Sequence, residues 1–273
     1  MLATEKLTEA GMKAEIIYYS ATGTTRKIVK AFSEGLNCFV RFADITKPAN
    51  REKAVTVTGD LVVIAMPVYG ERIPGFIYDY LKRIDGKDKL LVVISVYGNM
   101  GFGISTAQFS RFASENKFKL IGAGMFIGEH TYANEKSNVA LGRPDEDDLK
   151  SAREFGASIR AKCDRGEPEQ IKVHESVLAK FISEFPDSGV RFLIKQPVED
   201  GKQCNHCGLC AAMCPVGAIN PVTLEIDERK CLRCFSCVKN CPKKARRAEF
   251  RMKLFKVLFE RMGSKRKENR IVI

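Results

Sequence analysis

Long apolar segments are the first thing that this sequence lacks. No window approaches the ~18 consecutive apolar residues of a membrane-spanning helix, so a transmembrane protein is not expected. Residues 1–12 include Glu5, Lys6 and Glu9 and contain no apolar core of signal-peptide length, and we expect them to form a frayed leader. The 45% hydrophobic content of the 273 residues is instead typical of a globular protein, and the length allows two domains.

Glycine-rich nucleotide-binding motifs are missing as well. The first strand-like run, Ala14–Tyr19, ends in a turn that is rich in hydroxyl groups and carries one glycine. No G-K-[ST] follows this turn, so it is not a Walker loop, and it differs from the G-x-G-x-x-G dinucleotide turn. A helix-like stretch at 26–35 follows, so hydroxyls and first-turn amides are expected to face one anion. The turn consists of Ser20, Ala21, Thr22, Gly23, Thr24 and Thr25.

Strand-like and helix-like segments alternate between residues 13 and 163. Five short apolar runs and the amphipathic stretches between them predict an α/β fold with a doubly wound, five-stranded parallel sheet. Ligands bind such a sheet at the carboxyl ends of its strands, so the loops that leave those ends are candidate site loops. We expect strands at Ala14–Tyr19, Phe39–Ala43, Leu61–Met66, Leu90–Ser95 and Lys119–Ile127, and helices near 26–35, 75–83, 104–116 and 145–162.

Two of these loops place a tyrosine next to a glycine. A tyrosine offers a stacking face to a flavin ring, and a glycine lets backbone amides approach the polar edge of that ring. Either tyrosine alone could cap the sheet, and the hydroxyl-rich turn could be an ordinary helix cap, but three such loops on one edge favour FMN. FAD is disfavoured because no second glycine makes room for a pyrophosphate. The ring-side candidates are Pro67, Val68, Tyr69 and Gly70, followed by Tyr97, Gly98, Asn99, Gly101 and Gly103.

Only three histidines are present, and His130 follows the last predicted strand on the same rim. It is a candidate proton donor to a substrate on the flavin, because histidine titrates near neutral pH. A rim histidine more often makes hydrogen bonds within its loop, which is the competing interpretation. No other catalytic residue is indicated by the sequence.

Cysteine, in contrast, is abundant, and eight of the ten cysteines form a repeated pattern. Each half reads C-x2-C-x2-C-x3-C-P, a bacterial ferredoxin spacing in which the fourth cysteine ligates the other cluster. Two zinc ions would leave the third cysteine and both Cys-Pro steps unexplained, and disulfides need an oxidising compartment. Reduced thiolates and cubane clusters instead indicate the cytoplasm. We expect one [4Fe-4S] cluster on Cys204, Cys207, Cys210 and Cys241, and a second on Cys231, Cys234, Cys237 and Cys214.

The domain boundaries follow from these features. Residues 13–163 are the expected FMN domain, and 164–197 are an amphipathic connector. Residues 198–246 are expected to form a small α+β domain that holds both clusters. A basic helix and tail at 247–273 complete the chain.

The formal net charge of +12 is concentrated toward the end of the chain, since residues 239–273 contain thirteen Lys or Arg and three Glu. Phe250, Leu254, Leu258 and Met262 recur every four residues, and we expect this apolar face to pack on the protein, followed by a disordered terminus. The outward basic side chains would attract an acidic redox partner. A membrane surface is the competing destination, whereas nucleic acid is not expected because the tail lacks an aromatic platform.

The S-x-T-G-x-T turn resembles the FMN phosphate loop of flavodoxins, and the cysteine runs resemble two-cluster ferredoxins. Together they resemble the ferredoxin–flavodoxin fusion proteins of anaerobic bacteria and archaea. This resemblance implies an iron–sulfur flavoprotein that passes electrons between a low-potential one-electron donor, two clusters and FMN. Three further possibilities stay open: an oxidoreductase that reduces a small-molecule acceptor, a pure electron carrier, and a binding module that acts through the basic tail.

Overall fold

The structure is a computed structural model that describes residues 11–134, 137–166, 168–171 and 190–273. Residues 1–10 of the expected leader and residues 172–189 of the expected connector lie outside the described residues.

Five parallel strands form the central sheet, in the order β2-β1-β3-β4-β5. Strand β3 is buried along its whole length, as its continuous apolar sequence predicts for a strand covered on both faces. The expected doubly wound parallel sheet is therefore confirmed. The strands are β1 (Lys13–Tyr18), β2 (Phe39–Asp44), β3 (Leu61–Pro67), β4 (Leu90–Tyr97) and β5 (Lys119–Ile127).

Helices cover both faces of this sheet. Helices α1 (Thr24–Leu36) and α4 (Glu146–Asp164) pack together on one face, with α2 (Gly75–Leu81) and α3 (Ser105–Glu115) on the other. The α1–α4 pair approaches closely at two glycines, because a Cβ on Gly156 would lie 2.1 Å from the Phe32 carbonyl oxygen. Gly35 meets the Arg153 carbonyl in the same way. These two positions therefore exclude any side chain without separation of the helices.

The C-terminal end of the chain adds a sixth strand to the sheet. Strand β8 (Arg270–Val272) pairs antiparallel with β5, so the expectation of a disordered terminus is wrong. Asn269 attaches this segment, since its Oδ1 accepts from the Ile127 amide at 3.0 Å and its Nδ2 donates to Asp148 Oδ1 at 2.9 Å. The contacts join residues more than 120 positions apart, which local sequence does not reveal.

The cysteine-rich segment forms a small α+β unit around a two-stranded antiparallel sheet. Its helices are single turns; one precedes both cysteine runs, and the other two each contain the third cysteine of a run. Its strands flank the two cysteine runs. The elements are α5 (Val190–Leu193), β6 (Val198–Glu199), α6 (Leu209–Ala212), α7 (Ser236–Lys239) and β7 (Arg246–Arg247).

Helix α8 (Lys253–Gly263) exists, but it presents a different face from the predicted one. Phe259 of this helix is buried and packs against His130, with ring centroids 4.6 Å apart. Leu254 and Met262 are each 64% exposed, so the expected packing of their stripe is wrong. The contacts of Phe259 with aromatic side chains decide which face of α8 packs on the protein. The four-residue repeat of apolar residues along the helix does not decide it. None of the helices in the described part of the chain is long and apolar enough to cross a bilayer.

A buried ion pair anchors the start of α4. The side chains of Arg143 and Asp148 are 6% and 1% exposed and form a bidentate pair, and Asp148 also completes a capping box with Asp145.

We expect Asp148→Ala to lower the free energy of unfolding by about 3–5 kcal/mol, because it leaves the buried guanidinium unpaired. Chemical denaturation followed by far-UV circular dichroism measures this change. Glu154→Ala on the same helix is the control, since Glu154 pairs with Lys150 at the exposed surface and should have little effect. Equal effects of the two substitutions would contradict the anchoring role of the pair.

Candidate functional site

The eight repeated cysteines lie in two groups of four, each lining its own cavity. The fourth cysteine of each run lies with the first three of the other run, which is the grouping that crossed ligation requires. Group 1 consists of Cys204, Cys207, Cys210 and Cys241. Group 2 consists of Cys214, Cys231, Cys234 and Cys237.

The backbone of the two cysteine loops is repeated in detail. His206 and Arg233 occupy equivalent positions and both have a φ of 54°. Gly208 and Phe235, two residues further along each loop, are also left-handed, with φ values of 71° and 56°. Alternation of left- and right-handed residues turns successive N–H groups inward and makes a concavity for an anionic group, as in many iron–sulfur sites.

Backbone amides also reach the fourth cysteine of each run. The Ala218 amide donates to Cys214 Sγ at 3.2 Å, and the Ala245 amide donates to Cys241 Sγ at 3.3 Å. Such bonds stabilise a thiolate over a thiol. The cysteine groups and their amides therefore fit a thiolate-ligated cluster.

The two groups differ in their exposure to solvent. Cys207 of group 1 is exposed, whereas Cys231 and Cys237 of group 2 are buried. Burial raises the pKa of Cys234 to about 12, so this thiol would stay protonated at neutral pH without a cation. A bound iron centre would replace these protons, as metal binding to thiols does in general.

Group 2 is docked on the carboxyl edge of the parallel sheet. Ser236 Oγ donates to the Ala21 carbonyl at 2.7 Å, and Asn240 Nδ2 donates to the same oxygen at 3.3 Å. Lys239 pairs with Glu129 and also donates to the Ala133 carbonyl at 2.6 Å. The α7 turn of the cysteine unit therefore contacts the predicted phosphate loop directly.

Tyrosines of the sheet edge surround group 2. Cys234 and Tyr69 both pack against the core cluster that contains Tyr19. The rings of Tyr132 and Phe235 meet edge to face, with centroids 5.1 Å apart. The second cysteine group and a predicted flavin loop are therefore neighbours.

The Ser20–Thr25 turn has the features of a phosphate cradle. Ser20 Oγ accepts from the Arg26 amide at 3.0 Å, and Gly23 takes a φ of 90° immediately before α1. Thr25 is buried, and its hydroxyl finds no hydrogen-bond partner within the described residues. The first amides of a helix have no intrahelical acceptor either. A phosphate monoester would satisfy these donors, so the residues fit the phosphate of FMN.

The loop that carries Pro67 and Val68 turns back at Tyr69. A two-residue turn at Gly70 and Glu71, both with positive φ, brings Tyr69 into a bridge with Arg72. Tyr69 lies edge to face against Tyr19. The bridge to Arg72 and the ring contact with Tyr19 thus fix the position of Tyr69.

The second ring-side loop contacts the first. The Ile104 amide donates to the Glu71 carbonyl at 2.8 Å, and a Cβ on Gly103 would lie 2.2 Å from Glu71. Gly101 also faces Glu71, and Tyr97 is buried against Phe102. The two loops therefore contact each other at Glu71 and Gly103, and a flavin ring between the loops of Tyr69 and Tyr97 stays a prediction.

Two further ring-side candidates, Asn99 and Gly98, contact other parts of the protein. Asn99 is buried, and its Nδ2 donates to the carbonyls of Gly263 and Lys265, both at 2.8 Å. Gly98 allows His130 to approach, because a Cβ there would lie 2.4 Å from the imidazole. The C-terminal segment, which the sequence pattern did not connect with this edge, is thus part of its surroundings.

His130 is half-buried and packs against the rings of Tyr132 and Phe259. Burial and the nearby Lys239 lower its pKa to about 3. Its Nδ1 accepts from the Tyr132 amide at 3.2 Å, which is a hydrogen bond within its own loop. At neutral pH the imidazole is therefore uncharged and is not a cationic proton donor. Its hydrogen bond within the loop favours a structural role for His130.

Sequence reasoning did not identify Ser236, Asn240, Tyr132 or Arg233 as site residues. Ser236, Asn240 and Arg233 lie within the second cysteine run, but the spacing of metal ligands predicts a role only for its cysteines. The only available signal was the difference between the two loops, which carry Arg233 and His206 at equivalent positions.

Comparisons with known proteins agree with this two-part organisation. Residues 203–245 match the family model of the 4Fe-4S dicluster domain. The uncharacterized protein MJ0298 of Methanocaldococcus jannaschii is 28% identical over 155 residues, which cover 54% of this chain and 98% of that protein. The uncharacterized polyferredoxin-like protein MJ0934 of the same organism is 41% identical over 51 residues, which cover 19% of this chain and 22% of that protein.

Solved structures with a similar shape include flavodoxins. A flavodoxin from the domain Archaea has a TM-score of 0.40 at 15% identity, covering 55% of this chain and 98% of its own. Flavodoxin 2 from Bacillus cereus has a TM-score of 0.43 at 18% identity, covering 55% and 99%.

The fold and the cysteine groups together define the class of protein. Strand order 2-1-3-4-5 is that of the flavodoxin-like fold, and the dicluster domain follows it. The chain therefore combines a sheet of flavodoxin-like strand order with a segment that matches the 4Fe-4S dicluster domain.

The low pKa of His130 predicts a pH-dependent stability. In the unfolded chain this histidine has a pKa near 6.5, so below that pH the unfolded state binds up to one more proton than the folded state. The free energy of unfolding therefore decreases as the pH is lowered. We expect this loss to be roughly 1.4 kcal/mol per pH unit between about 6.5 and 5. His130→Gln should abolish that component in denaturation experiments at pH 7.5 and 5.5, whereas His206→Gln, at an exposed position, should retain it. Identical pH dependence in wild type and His130→Gln would contradict burial of a neutral imidazole.

Proposed function

We propose that this protein is an iron–sulfur flavoprotein that passes electrons between an external one-electron partner and FMN. Cys204, Cys207, Cys210 and Cys241 hold cluster 1, and Cys231, Cys234, Cys237 and Cys214 hold cluster 2. Bound clusters supply single-electron transfer, and FMN supplies storage of one or two electrons. The observation that carries this proposal is the docking of group 2 against Ala21 and Tyr69, at the predicted flavin loops.

The exposure of the two cysteine groups supports an order of transfer. Cys207 is exposed, so group 1 offers the external partner the closer approach. Cys231 and Cys237 of group 2 are buried, and Ser236 and Asn240 hold this group on the phosphate loop at the sheet edge. The protein thereby positions group 2 as the intermediate station and keeps water away from it.

Charge supports an acidic partner for group 1. Lys202, Lys243 and Lys244 are exposed and lie beside Cys204 and Cys241 in sequence. Positive potential at this surface would steer an acidic donor or acceptor protein, with rates that fall as ionic strength rises.

The covered sheet edge favours an electron carrier over a reductase of small molecules. Ser236 and Asn240 lie on Ala21, while Gly263 and Lys265 lie on Asn99. A small acceptor would have to reach the flavin past both segments. Exposed cluster thiolates also favour a reducing compartment, so we place the protein in the cytoplasm.

Crossed ligation gives the first test. We expect Cys214→Ser to damage the cluster that also uses Cys231, Cys234 and Cys237 and to leave the other cluster intact. Iron analysis of the anaerobically reconstituted protein should give about eight iron atoms in wild type and fewer in the variant. Cys38→Ser is the control, because Cys38 lies outside both groups. Selective loss of the cluster on Cys204, Cys207 and Cys210 would overturn the assignment.

The buried hydroxyl of Thr25 provides the test for FMN. Thr25→Val keeps the shape of the side chain and removes its donor, so we expect the FMN dissociation constant to rise about tenfold or more, as for the loss of a hydrogen bond to a charged group. The apoprotein should be no less stable, because the hydroxyl has no partner there. Fluorescence titration with FMN measures the affinity, and Ser33→Ala on the same helix is the control. Unchanged affinity in Thr25→Val would contradict the phosphate cradle.

A further inference from the structure

Arg233 is a fully buried cation inside the loop of group 2. Its side chain has no exposed surface, and it lies between Cys231 and Cys234 in sequence. One terminal nitrogen donates to the carbonyls of Cys231 and Glu228, both at 3.3 Å, and the other donates to Glu228 Oε1 at 2.6 Å. Its Nε is buried and has no hydrogen-bond acceptor among the described residues.

The equivalent position of the other loop carries no such charge. His206 has the same backbone conformation as Arg233, but its side chain is exposed to solvent. The two cysteine loops are therefore matched in backbone and spacing, and only the group 2 loop carries a buried positive charge of its own. Arg246, which lines the cavity of group 1, is also buried, but it lies outside that loop and pairs with Glu199.

The ion pair with Glu228 does not cancel this charge. Glu228 is 59% exposed, so water screens its carboxylate, whereas the guanidinium lies in a medium of low dielectric constant. Arginine does not lose its proton in proteins, and burial of a cation is costly unless negative charge faces it. A cluster held by four thiolates would supply that negative charge, and the free Nε–H would supply a donor.

We propose that Arg233 raises the reduction potential of the cluster on Cys214, Cys231, Cys234 and Cys237. Net charge and hydrogen bonds to sulfur are two of the factors that set such potentials. The guanidinium stabilises the state with one more electron and keeps its own proton. An electron that reached this cluster would therefore be held more strongly beside the phosphate loop. This inference rests on the proposed two-cluster function.

The test is a redox titration of the reconstituted full chain, followed by electron paramagnetic resonance. Paramagnetic NMR of the cysteine β-protons assigns each potential to its ligands. We expect Arg233→Gln to lower the potential of group 2 by at least 59 mV, which is a tenfold change in electron partition for a one-electron couple, and to leave group 1 unchanged. Arg233→Lys should retain most of the wild-type potential, because it keeps the charge.

Two further variants separate an electrostatic role from a structural one. His206→Gln is the matched control in the other loop and should shift neither potential. Glu228→Gln keeps Arg233 and removes its carboxylate partner, so the potential of group 2 should rise slightly. Arg233→Gln protein that retains both clusters and both wild-type potentials would overturn the inference and leave the proposed function intact. A wild-type protein that holds fewer than two clusters would instead overturn the proposed function.

Discussion

The hydrogen bonds from Ser236 and Asn240 to the Ala21 carbonyl join the cysteine unit to the parallel sheet at the predicted phosphate loop. A single backbone oxygen of the predicted phosphate loop accepts both, so any shift of the cysteine unit would leave buried polar groups unpaired. Lys239 adds an ion pair with Glu129 on the neighbouring loop. Several hydrogen bonds and an ion pair thus fix the position of group 2 relative to the sheet edge.

The C-terminal segment stabilises the same edge from the other side. Asn99 binds two of its carbonyl groups, and Asn269 connects it to both Ile127 and Asp148. Because Asp148 is also the buried partner of Arg143, the strand addition, the helix start and the ion pair share one polar network. Buried networks of this kind are stable only when every member is satisfied, so these elements are expected to form together.

The two cysteine groups have the same four-cysteine ligand set and differ in the residues that surround them. Both loops use the same spacing and the same left-handed positions, and amides reach the fourth cysteine in each. Group 2 differs because the aromatic residues Tyr19, Tyr69 and Phe235 exclude water from it. Identical covalent chemistry can in this way acquire different redox behaviour from its surroundings.

Local patterns in the sequence determined the strands, the helices and the two cysteine groups, because periodicity, turn chemistry and ligand spacing are short-range properties. The run Leu61–Met66 predicts a buried strand, and each Cys-Pro step predicts the end of a loop. The tertiary structure alone decided the neighbours of His130 and the exposed face of α8, since Phe259 contacts a loop far away in sequence. It also decided the sixth strand, because the side chain of Asn269 and an open sheet edge at β5 recruit the terminus, and neither is visible in the terminal residues themselves.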